Sequence, residues 1–307
     1  MRPGRAAWKK LKRSTAAMAS LAVILLYLAA AAVFEIHGLL CTYKGETPVY
    51  ARISQERYSP PSRRHLFGTD YQGRDVFLRS LAASSTAVKV GAISGTIAVA
   101  IGVALGCAAG FRGGRTDDLV VWLYSTIASM PTLLFILAFA LLVSRGFLSP
   151  GLMGAVKVCA GIVNVEPGML AVYVAVGLTG WVTLCRVVRG ETMKLKRRAF
   201  VEAAKVAGVP DTVIIFRHIL PNVFHLAVIY FTLSFANAVM LEVIVSYLGF
   251  GVQSAPSWGV MISDGQERLW RGVWWELVGA SGVMFFLVLA LNLLGDALRD
   301  ALDPYAT

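Results

Sequence analysis

The sequence predicts an all-α integral membrane protein with six transmembrane helices, and three observations carry that prediction. The 307-residue chain is 57% apolar and only 15% charged, and a water-soluble domain of this length would leave much of that surface wet. Six apolar runs each approach the roughly 20 residues that cross about 30 Å of hydrocarbon at 1.5 Å per residue. The net charge of +11 sits in short Lys and Arg stretches between those runs. That pattern sets topology and argues against a nucleic-acid partner, which would need one continuous basic face.

The first run, 16–34, follows a tail with Arg2, Arg5, Lys9, Lys10, Lys12 and Arg13. It exceeds a signal-peptide core and reads as a retained helix, although the alanines at 29–32 leave cleavage open. In the second run, 90–109, Gly91 and Gly95, then Gly102, Gly106 and Gly110, recur at intervals of four. This small-residue stripe predicts close packing inside the bundle. The third run, 119–144, holds Pro131, which removes a backbone donor and should bend the helix. The stretch 147–165 is broken by Pro150, Gly151 and Lys157 and reads as a partly buried connection at the membrane edge. The fourth run is 168–185. The fifth, 223–252, is interrupted by Glu242, and the sixth is 277–295.

Cationic short loops are retained in the cytoplasm. The N-terminal tail, the Arg112 and Arg115 turn, and the loop carrying Arg186, Arg189, Lys194, Lys196, Arg197, Arg198, Lys205 and Arg217 share one side of a six-helix arrangement. Both termini are therefore expected in the cytoplasm. The cationic loop 35–83 would be external, which is tolerable because long loops cross with less regard to charge. The organisation expected is residues 1–83 as tail, first helix and external loop, followed by a five-helix core, 84–307, with a basic loop at about 189–222.

Catalytic signatures are missing. The sequence contains no Gly-x-x-x-x-Gly-Lys-Ser/Thr loop for ATP phosphates, no His-Glu-x-x-His and no Gly-x-Ser-x-Gly, so no catalytic residue is assigned. Cys41, Cys107, Cys159 and Cys185 lack zinc-site spacing, and His37, His65, His218 and His225 are scattered; no metal site or cofactor is expected in the chain.

The basic loop has readable punctuation. Alanine-rich 201–207 favours helix, Gly208 can close it in the left-handed conformation, and Asp211 can cap a second helix finishing near Pro221. Val213, Ile214, Ile215 and Phe216 supply more apolar surface than a solvated loop needs. An amphipathic loop resting on lipid headgroups would account for the basic run, and contact between that run and membrane lipid is expected, but not for the remaining pattern.

That pattern resembles the mark of ABC importer permeases, a Glu-Ala-Ala sequence followed by Gly and later Leu-Pro. Glu202, Ala203, Ala204, Gly208, Leu220 and Pro221 stand at the family's spacing, and His218 replaces the general isoleucine as in the peptide and nickel branch. Two further segments, His65-Leu-Phe-Gly-Thr-Asp-Tyr-Gln-Gly-Arg-Asp75 and Tyr247-Leu-Gly-Phe-Gly-Val-Gln-Ser-Ala-Pro-Ser-Trp-Gly259, are similar to the C-type permease of dipeptide and oligopeptide importers. So is the closing Gly295-Asp-Ala-Leu-Arg-Asp-Ala-Leu-Asp-Pro304. The first 64 residues resemble that type only in layout, and Leu66 replaces its more usual proline.

The resemblance implies a permease subunit in the bacterial inner membrane, with the loop as a coupling helix docked on an ATPase. It implies a second homologous permease, two ATPase subunits carrying ATP and Mg, and an external solute-binding protein that Pro256, Ser257, Trp258 and Gly259 would contact. Peptide is the preferred cargo, with nickel or another solute as alternatives. Glu242, ionisable within an apolar run, is a candidate for the translocation path, although a structural hydrogen bond would serve equally. A secondary transporter or channel would need an internal repeat and several intramembrane charges. A membrane hydrolase would need a nucleophile beside a base.

Overall fold

A computed structural model of the chain describes residues 10–251 and 255–302. Arg2, Arg5 and Lys9 of the basic tail, 252–254 of the Tyr247–Gly259 segment and 303–304 of the closing segment lie outside the described residues. The helices are α1 (Thr15–Lys44), α2 (Val76–Arg112), α3 (Gly114–Ala128), α4 (Thr132–Ser144), α5 (Pro150–Val163), α6 (Pro167–Lys196), α7 (Ala199–Val206), α8 (Asp211–Ile214), α9 (Leu220–Tyr247), α10 (Trp258–Arg268) and α11 (Trp275–Leu302). Among the described residues no strand forms; Thr69 and Asp75 make one isolated bridge.

Five helical stretches are long and apolar enough to span a bilayer: α1, α2, α6, the continuous Asp211–Tyr247 rod and α11. The sixth is α3 and α4 taken together as one bent pair; the two meet at 87°. Pro131 stands at the N-cap of α4, where its missing donor is harmless and the preceding helix must end. The two halves still run from one end of α6 to the other. Asp117 of α3 pairs with Arg189 near the end of α6, while Val143 and Ser144 of α4 border a cavity with Pro167 and Gly168 at its start. The expected helix bend is thus a right-angled break, and α5 is a separate short helix, apolar and largely exposed.

The glycine stripe does what its spacing implies. Gly102, Gly106 and Gly110 let α2 approach α6 so closely that a Cβ at Gly106 would sit 2.9 Å from the Cys185 carbonyl and one at Gly110 2.6 Å from that of Arg189. Gly91 admits the Phe235 ring from α9. Small residues let membrane helices trade side-chain bulk for backbone contact.

The predicted boundaries shift at two places. A division at 83/84 falls inside α2, which begins at Val76 because Asp75 caps it, accepting a hydrogen bond from the Leu78 amide at 3.0 Å. The basic loop starts later than 189, since α6 continues to Lys196. The two ends of the described residues meet: Lys10 Nζ donates to the Asp300 carbonyl at 2.8 Å, and Leu11 and Ala17 pack with Leu294.

Candidate functional site

Residues 197–219 form an elbow between α6 and α9. Its inner face is apolar and sealed: Val201, Ile214 and Ile219 are each 0% exposed and pack with Phe111, Leu184, Val188 and Val223 on the ends of three spans. Burying one such side chain stabilises by about 1.5–3 kcal/mol, enough to seat the elbow on the bundle. Its outer face is the reverse, with Val206 90% and Phe216 70% exposed. Glu202, Ala203, Gly208 and Pro221 are exposed beside them, and Ala204, His218 and Leu220 are half-buried. Five of the seven sequence-predicted coupling residues therefore fall on this elbow, and Leu220 and Pro221 open the helix that follows it.

Gly208 adopts φ +74 and turns the chain between α7 and α8, with the Val209 amide donating to the Ala204 carbonyl. A side chain there would be strained. Asp211 is not the cap expected of it: Pro210 holds the N-cap position, and Asp211 is the first helical residue. Nor does the second helix finish near Pro221. A π-helical turn, Ile215–Ile219, carries it into α9, with the Leu220 amide donating to Ile215. Pro221 lies in the first turn of α9, where a missing N–H is tolerated. The second limb of the elbow, from Asp211, and the fifth span are one rod.

Beneath the elbow lies a cavity of about 540 Å³ lined by residues that include Gly110, Asp117, Lys196, Arg197, Glu202 and Lys205. Lys205 Nζ stands 4.7 Å from the centre of the Phe111 ring, a cation–π contact joining α7 to α2. Arg189 holds Asp117 through two hydrogen bonds, fastening α3 to α6 at this end.

At the opposite end of the rod, Glu242 is 2% exposed. Its Oε1 accepts from Ser246 Oγ at 2.6 Å and Ser257 Oγ at 2.9 Å. Of the two roles left open for Glu242, these two bonds supply the structural one. The expectation for Pro256, Ser257, Trp258 and Gly259 needs correction. All four are buried, with Ser257 0% and Trp258 1% exposed, so they offer an external protein no surface in this chain. The indole of Trp258 enters the bundle and donates to the Ser80 carbonyl at 2.8 Å, while its ring meets Tyr27 edge-on.

The His65–Asp75 segment is more than a set of turns. Asp70, fully buried, accepts from Arg74 Nε at 2.6 Å and Arg79 Nη1 at 2.9 Å. Arg79 also approaches Glu276 at 3.7 Å and Asp264 at 4.0 Å, and Arg268 reaches Glu276 at 3.5 Å. Burial pushes the Asp264 carboxyl above its usual range, opposed by Arg268 and Arg79. Trp275 Nε1 donates to the Thr69 carbonyl at 3.1 Å, completing a knot of the loop, α2, α10 and α11. A sequence signal existed in Asp70, Asp264 and Glu276 and their arginines, but nothing in the linear order pairs them.

Relatives match over nearly the whole chain. The profile of the binding-protein-dependent transport system inner membrane component matches residues 102–306. That of the N-terminal transmembrane domain of oligopeptide transport permease C matches residues 2–61, so the first 64 residues share more than layout. The dipeptide transport system permease protein DppC of Bacillus subtilis is 33% identical over 97% of this chain and 84% of its own length. The oligopeptide transport system permease protein OppC of Escherichia coli K12 is 34% identical over 98% of this chain and 92% of its own. With the elbow carrying the Glu-Ala-Ala to Leu-Pro pattern on a six-span bundle, the chain belongs to the inner-membrane permeases of binding-protein-dependent ABC importers, in their C-type branch.

Proposed function

We propose that this chain forms half of the path by which an importer brings peptides across the inner membrane, and that residues 197–219 receive the motion of a separate ATPase. The carrying observation is the two-faced elbow: Val201, Ile214 and Ile219 root it in the bundle while Val206 and Phe216 stand bare. Bare apolar side chains on a rooted helical elbow suit a partner groove. ATP and Mg belong to two ATPase subunits in this reading. A second, homologous permease completes the path, and an external binding protein delivers the solute. Both termini lie in the cytoplasm with the elbow. Peptide is favoured over nickel or another solute because the relatives just described are named for dipeptides and oligopeptides.

Nucleotide and binding protein can drive such a cycle only by preferring different states of the bundle. The test is co-purification of the assembled transporter through a tagged ATPase subunit, comparing the native chain with Glu202→Arg combined with Gly208→Pro. Loss of the permease from the eluate and loss of transport-linked ATP hydrolysis are expected; retention of both rejects the docking role.

A further inference from the structure

We propose that Glu242 is a latch between the rod that carries the elbow and the loop 255–259, so that a displacement at the cytoplasmic end of the rod moves that loop without slippage. The inference rests on the reading of the elbow as the ATPase contact.

The second limb of the elbow and Glu242 share one continuous helical stretch, Asp211–Tyr247, of 37 residues, about 55 Å long at 1.5 Å per residue. Near its far end the loop is gripped from both sides. On the rod side, Glu242 Oε1 accepts from Ser257 Oγ at 2.9 Å, and the same Oγ accepts from the Gly259 amide at 3.1 Å, capping α10. Gly259 lies so close to the rod that an added Cβ would stand 2.3 Å from the Val243 carbonyl. On the α2 side, Thr86 Oγ1 donates to the Pro256 carbonyl at 2.8 Å, and Trp258 Nε1 donates to Ser80. The loop is a wedge between α2 and the rod, and it continues into α10, which holds Asp264 and Arg268 of the charged knot.

An aliphatic side chain could fill the Glu242 site without the desolvation cost of a buried carboxyl. What it could not supply is a directional bond to Ser257. Apolar contacts slide with small changes of register, whereas a short hydrogen bond inside a low-dielectric interior holds one geometry. Glu242 is thus a positioning residue that acts through Ser257 and touches no solute.

The complete transporter, reconstituted with its ATPases, partner permease and binding protein, gives the test. The readout is the ratio of ATP hydrolysis with binding protein to that without it, alongside the ATPase retained per permease. Glu242→Leu and, more gently, Ser257→Ala should keep ATPase association yet lower the ratio at least about fivefold, the small end of ordinary coupling energies between sites. Glu242→Gln should restore it, since the amide oxygen accepts the same two hydroxyls. If Ser257→Ala leaves the ratio at the native value, or Glu242→Leu changes solute preference while the ratio holds, the latch is overturned. The elbow reading fails separately, through retained ATPase in the Glu202→Arg, Gly208→Pro variant.

Discussion

Single residues decide how closely the spans can approach. Gly106→Leu would force a side chain into the Cys185 carbonyl and Val188, both 2.9 Å from the Cβ position, and should destabilise by about 1–3 kcal/mol. Gly168 has nothing within 4 Å of its Cβ position, so Gly168→Ala should be neutral or slightly stabilising. Thermal unfolding of the detergent-solubilised protein separates the pair. Arg79→Met would leave Asp70 and Glu276 buried with less compensation, a loss of about 3–5 kcal/mol checked by the same melt. Asp264 contributes with the opposite sign from an ordinary paired acid. Its folded carboxyl holds its proton more tightly than in the unfolded chain, so its contribution to stability grows as pH falls through that raised value. Asp264→Asn should flatten this part of the stability–pH curve. The glycine stripe could be read from spacing because a helix puts every fourth residue on one face. The knot could not, since Asp70, Arg79, Asp264 and Glu276 meet only when α2, α10 and α11 have packed.

Elements show the same division. Apolar length exposed the spans, but the ends of α2 and α6 lie beyond their apolar runs, because helices continue through charged residues that caps or partners satisfy. Asp211 resembled a cap in sequence, yet Pro210 already fixes an extended backbone at the N-cap. Leu-Pro suggested a stop, but a π-helical turn passes the proline without breaking the rod. The buried state of Pro256, Ser257, Trp258 and Gly259 was hidden for a related reason: Trp at a helix end suits an interface as well as a core. Within the elbow, two valines separate fold from function. Val201→Asp would bury a charge at a fully enclosed site and should unseat the elbow, lowering the melting temperature. Val206→Asp, at a 90% exposed site, should leave the melt unchanged and abolish ATPase retention; co-purification beside the melt distinguishes the two.

At the scale of the molecule, the broken α3–α4 span makes six crossings, an even number that returns the chain to its starting side and lets Lys10 reach Asp300. That arrangement leaves the Asp211–Tyr247 rod as a covalently continuous link from the elbow to the wedge at 255–259. Charge in the short loops predicts both ends on one side; the contact between Lys10 and Asp300 is what folding adds. In the function proposed above, this scaffold presents its elbow to a cytoplasmic ATPase. Val206→Cys in a Cys159→Ser background tests it, because Cys41, Cys107 and Cys185 are buried. A membrane-impermeant maleimide should label this cysteine in inverted vesicles lacking the ATPases, fail to label it in intact spheroplasts, and be blocked when the ATPases are present. Labelling from outside the cell, or labelling indifferent to the ATPases, would contradict the account.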